Sequence, residues 1–93
     1  MSISVHHQRY VKLRTFLKQL RIDAGLTQVE IAERLQADQS NVSKVERGER
    51  YIDILFFIDY CKACGIDPAI ALERLEDGNS SVVNGAVLTN ERF

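Results

Sequence analysis

Between Asp38 and Gly48 the chain carries Gln39, Ser40, Asn41, Ser43, Lys44 and Arg47, with only Val42 and Val45 clearly apolar. At helical spacing two valines make a narrow inward stripe, so most of such a helix faces something polar. The outward residue types suit the reading of base edges. A glutamine amide can donate to adenine N7 and accept from adenine N6 at once, and Gln39 stands in the first turn of the helix. Lys44, one turn further on, suits guanine O6 and N7, while Ser40 can reach a base or a thymine methyl and Ser43 is a weaker base contact. Arg47 and Arg50 are placed for phosphates, as are the amide-rich N-terminus of the helix opened by Thr27 and, less clearly, Asn41. Taken singly these residues are ordinary: Lys44 alone reads as a solvated lysine, and the run Glu46-Arg47-Gly48-Glu49-Arg50 as a mixed surface.

Other chemistry is scarcer. Cys61-Lys62-Ala63-Cys64 has the spacing of a metal or redox motif. A zinc site needs four ligands, and the two histidines, His6 and His7, lie in a separate N-terminal segment. Redox C-x-x-C motifs sit at helix N-termini, where the thiol pKa falls; this pair sits at a helix C-terminus. Both cysteines fall on an apolar face, so we read them as small core residues. No catalytic constellation, glycine-rich phosphate loop, metal site or cofactor motif is expected, and the chain is not read as an enzyme.

The elements that position the polar helix follow from apolar spacing and local stop and start signals. Tyr10, Leu13, Phe16, Leu17, Leu20 and Ala24 make the stripe of a long first helix, closed by Gly25. Thr27-x-x-Glu30 is a capping box for a short second helix ending near Leu35. Gln36-Ala37-Asp38 is a three-residue turn, with the Asp38 carboxylate expected to cap the third helix, about Gln39–Arg47, which Gly48 stops. Asp53 caps a fourth helix running to Cys64. Asp67-Pro68 starts a fifth, which Gly78 is expected to end. Asn79-Ser80-Ser81 reads as a linker, and Asn84-Gly85 between apolar residues is a hairpin signal, with a tail lacking order as the alternative. Two short helices joined by a tight turn, the second poor in apolar residues, form a helix-turn-helix.

The 93 residues fit one domain, and 45% apolar with 27% charged residues is a soluble composition. The net charge of −1 conceals a division. Residues 9–50 balance to +3 and residues 51–93 to −4, so the two halves can have different partners. No transmembrane span or secretory signal is visible, and a cytoplasmic location with free thiols is expected.

As a set, Gly25-Leu26-Thr27-Gln28, Gln39-Ser40-Asn41-Val42-Ser43-Lys44, Val45-Glu46-Arg47-Gly48 and Ala63-Cys64-Gly65-Ile66-Asp67 resemble the Xre/Cro family of lambda-repressor-like DNA-binding domains. The resemblance covers about Tyr10–Leu75. It implies an all-α, five-helix domain that binds double-stranded operator DNA, usually as a homodimer. It places Gln28 where a glutamine touches a phosphate and braces the residue at Gln39. Arg21 and Glu46 match an ion pair that fixes the third helix against the first. Gln36 stands where the family usually has glycine, so the turn is expected to differ slightly. Residues 1–9 are read as an extension or the start of the first helix, 10–76 as the DNA-binding domain, and 77–93 as a tail.

The fourth helix carries more apolar residues than one core needs. Leu55 and Phe56 could wrap into the core, lie under the tail, or form a self-complementary dimer patch, with Tyr60 as a further candidate. The leading expectation is a sequence-specific transcriptional regulator, a repressor acting as a homodimer on two half-sites. The competing one is an antitoxin or adaptor whose acidic half binds a protein partner, with DNA binding secondary.

Overall fold

Thr27 and Glu30 decide where the second helix begins. The Thr27 hydroxyl accepts from the Glu30 amide at 3.0 Å, and the Glu30 carboxylate accepts from the Thr27 amide at 2.8 Å. Both orphan donors of the first turn are thereby satisfied. The computed structural model describes residues 6–80, with side chains to residue 77. It contains α1 (Gln8–Asp23), α2 (Gln28–Leu35), α3 (Gln39–Glu46), α4 (Ile54–Ala63) and α5 (Pro68–Ser80). No strand occurs among the described residues; the hairpin expected over Val82–Leu88 lies outside them.

The other boundaries are also set locally. The first helix starts at Gln8, with His7 as its cap, the Nδ1 of His7 accepting from the Arg9 amide at 3.1 Å. The Asp53 carboxylate accepts from the Phe56 amide, and that of Asp67 from the Ala69 amide, each at 2.8 Å. Two expectations are corrected. Asp38 has the extended backbone of an N-cap, but its carboxylate makes no capping hydrogen bond. Gly78 does not end the last helix, which continues to Ser80 through part of the expected linker. A single glycine inside a helix costs only about 1 kcal/mol, too little to stop it.

The core joins α1, α2, α3, α4 and α5 through Leu17, Ile31, Ala32, Val42, Phe57, Tyr60, Cys61 and Ala71. Ala32, on α2, is buried in this cluster, where a small side chain lets helices approach closely. The fourth helix divides its surplus apolar residues. Phe56 packs half-buried against the core, its ring 5.6 Å from that of Tyr60, whereas Ile54 and Leu55 remain 66% and 68% exposed.

The turn between α2 and α3 keeps its left-handed backbone without glycine. Gln36 has φ 55°, the one positive φ among the described non-glycine residues. A left-handed backbone at a residue that carries a Cβ is strained. Gln36 is exposed, so Gln36→Gly removes little packing and should raise stability by up to about 1 kcal/mol. In a domain this size that is a rise in Tm of about 4–8 °C per kcal/mol, readable by thermal melting; a lower Tm would mean that the turn is not strained. Gly48, after α3, has φ 79°, in the left-handed region that favours glycine. A Cβ there would come within 2.6 Å of the Arg14 guanidinium.

Candidate nucleic-acid interface

The third helix turns its polar side to solvent. Val42 and Val45 are buried, as their spacing requires, while Gln39, Ser40 and Lys44 are exposed. Asn41 and Ser43, like Gln28 on α2, are half-buried, which makes these three the less accessible of the expected contacts. Thr27 lies exposed at the adjoining end of α2. Arg47 and Arg50 are exposed beyond the end of α3. Arg47 is already engaged. Its Nε lies 2.9 Å from a Glu49 oxygen, and its Nη1 donates to the Ser43 hydroxyl. Both members of the Arg47–Glu49 pair are more than half exposed, so water and salt screen it and another anion can compete.

Behind this surface lies a buried carboxylate. Glu46, at the end of α3, has a side chain only 4% exposed, and Arg21 one that is 10% exposed. The Arg21 Nε donates to one Glu46 oxygen at 2.7 Å and its Nη2 to the other at 3.1 Å, a two-pronged pair. The Arg21 Nη1 donates to the Leu26 carbonyl at 2.8 Å. The resemblance-based reading of Arg21 and Glu46 as an ion pair tying α3 to α1 corresponds to this geometry. Burial works against ionisation of Glu46, but the hydrogen bonds from Arg21 and Gln28, the Arg21 charge and the Tyr60 hydrogen bond together outweigh it and hold the carboxyl below its usual range.

Two further donors complete the hub. The Gln28 Nε2 donates to Glu46 at 2.9 Å, and the Tyr60 hydroxyl donates to it at 3.3 Å. Tyr60 is therefore removed from the candidate dimer surface: it is wholly buried in its own chain, and its phenol is held neutral by burial and by Glu46. A phenol in an otherwise apolar helix face signals such a partner, though which one is invisible in sequence. Gln28 also accepts, through its Oε1, from the Gln39 Nε2 at 2.7 Å. The brace expected between these two residues is present. A continuous path runs from Tyr60 through Glu46 and Gln28 to Gln39.

The cysteine pair is not drawn into any site. Burial pushes both thiols up to about 11, so they are neutral near pH 7. Among the described residues no group of His, Cys, Asp or Glu is placed to hold a metal ion, and no helix is long and apolar enough to cross a membrane.

A family model described as a helix-turn-helix domain matches residues 12–75. Among solved structures, an Xre-family-like protein from Pseudomonas syringae pv. tomato str. DC3000 is 42% identical, with 82% of this chain and 93% of that one covered and a TM-score of 0.74. The chain belongs to the Xre family of helix-turn-helix regulators. Two restriction-modification controller proteins share the fold of this Xre-family chain. C.AhdI from Aeromonas hydrophila is 33% identical over 66% of this chain and 92% of its own, with a TM-score of 0.60. C.Esp1396I, in a structure of its tetramer with its natural 35-base-pair operator, is 22% identical over 76% and 93%, with a TM-score of 0.71. A search of curated proteins gives no significant match. As a member of this family the chain is a DNA-binding transcription regulator.

Proposed function

We propose that this regulator is a repressor that reads a specific operator as a homodimer on two half-sites. In this reading Gln39, Ser40, Ser43 and Lys44 contact bases, and Thr27, Gln28, Asn41, Arg47 and Arg50 contact phosphates. The observation that carries it is the Gln39 side chain, exposed on α3 yet already held at 2.7 Å by Gln28. A reading group fixed before binding loses less entropy on contact than a free one. A neighbour of the same fold binds operator DNA, which agrees with this surface.

The homodimer rests on the apolar residues the fold leaves outside. Ile54, Leu55, Ile70 and Leu72 are exposed on α4 and α5. Ile54 and Leu72 also line a groove of about 390 Å3 with Tyr10, Leu13, Phe57 and Leu75. A second copy of the chain would cover such a patch symmetrically. Because Phe56 packs half-buried against the core, the test variant is Ile54→Glu with Leu55→Glu. It should give a folded monomer; a dimer unchanged in sedimentation removes this interface. The same patch also suits a different protein partner, as an antitoxin or adaptor would need. A partner complex that forms without DNA, from a chain that enriches no DNA sequence, would favour that second reading.

Selection of bound duplexes from random DNA tests the main proposal. The expected product has two related half-sites centred about 10–10.5 base pairs apart, or a multiple of that spacing. Recovery of no enriched sequence would refute it.

A further inference from the structure

We propose that the buried Glu46 determines which base Gln39 prefers, by fixing the direction of the hydrogen bonds that pass through Gln28. This rests on the reading of Gln39 as a base contact and assigns a specificity role to a residue that touches no DNA. An ionised carboxylate only accepts hydrogen bonds. Gln28 can therefore meet Glu46 only through its Nε2, as it does at 2.9 Å. Its carbonyl oxygen is then turned towards Gln39, and a carbonyl also only accepts. Gln39 must answer with its Nε2, as it does at 2.7 Å.

What remains free on Gln39 is one N–H and the carbonyl oxygen. A donor beside an acceptor is the complement of adenine N7 and N6. In the opposite sense Gln39 would turn its carbonyl to Gln28 and offer only N–H donors, which suit guanine N7 and O6. The choice between the two purines is thus fixed inside the protein. Arg21 and Tyr60, at 2.7 and 3.3 Å from the same Glu46 oxygen, are positioning residues that hold the carboxylate.

The experiment compares two duplexes that differ only by A·T against G·C at the pair Gln39 reads. Wild type should favour adenine by about tenfold, within the range of one bidentate contact. Glu46→Gln puts an amide in the hub that can either donate or accept, so the A:G ratio should fall towards one. If circular dichroism shows that this variant does not fold, Arg21→Met with Glu46→Gln removes both charges together and is tested in its place. In a Gln28→Met background the same change at Glu46 should leave the ratio unmoved. Equal loss on both duplexes, with the ratio kept, would reduce Glu46 to a structural support and overturn the proposal. So would a ratio that shifts equally with and without Gln28. If Gln39→Ala keeps the wild-type ratio, the base-contact reading itself has failed, a result distinct from either.

Discussion

Glu46→Ala should lower the folding free energy by about 3–5 kcal/mol, measured by urea denaturation. The loss is large because it leaves Arg21 charged, 10% exposed and without its carboxylate. It also strands the Gln28 amide and the Tyr60 hydroxyl, which converge on Glu46 from α2 and α4. Small domains have only about 5–15 kcal/mol in hand, so this variant approaches unfolding at 25 °C. A cost below 1 kcal/mol would show that water reaches the hub and replaces the missing acceptor. The pair also makes stability depend on pH. The Glu46 carboxyl sits below its usual range in the folded chain, since burial is outweighed by the Arg21, Gln28 and Tyr60 hydrogen bonds together with the Arg21 charge. Its contribution is complete above the unfolded value, about 4.3. It is lost as pH falls through the lower folded value. Thermal melts should therefore show wild type losing stability in acid faster than Glu46→Gln, the two curves drawing together at low pH. Parallel curves would contradict this assignment.

Gln39→Ala should cost about 1–3 kcal/mol of affinity for the selected operator, while binding to random duplex is nearly retained. The expectation follows from what the substitution removes: a braced donor and acceptor, and no charge. Arg50→Ala should behave differently, weakening binding to every sequence and lowering the salt slope by about 1. Titrations of both variants on specific and random duplexes separate the two roles. Equal loss on both duplexes for Gln39→Ala would make that residue a backbone contact.

Five helices were legible in the sequence because their signals are local. Thr27 and Glu30 are three residues apart, and Asp53 and Asp67 each cap within one turn. The polar face of α3 followed from two valines among eight residues. Misreadings arose where a local signal met a stronger nearby term. Gly78 has a stop signal's type, but a helix passes through it; Asp38 has a cap's type and backbone but not its hydrogen bond. The hub was only half legible. Residues 21, 28, 46 and 60 are brought together from four helices, and no spacing rule predicts three side chains meeting at the Glu46 carboxylate. The resemblance supplied Arg21 and Glu46 but not Tyr60, whose burial could not be separated from an apolar surplus by periodicity.

The exposed Arg47–Glu49 pair bears on how binding would respond to salt. Phosphate contacts ordinarily release condensed cations from the duplex, and each basic contact adds to the salt slope. A phosphate reaching Arg47 competes with the Glu49 carboxylate, 2.9 Å from its Nε. Glu49 is thus a counter-ion tethered to the chain, two residues from the charge it neutralises. Freed next to the phosphate, it repels the same backbone. If Arg47 contacts phosphate as proposed, its grip on any DNA, matched or not, would be weakened by the protein's own acid, and the weight of recognition would move from charge towards the base edges.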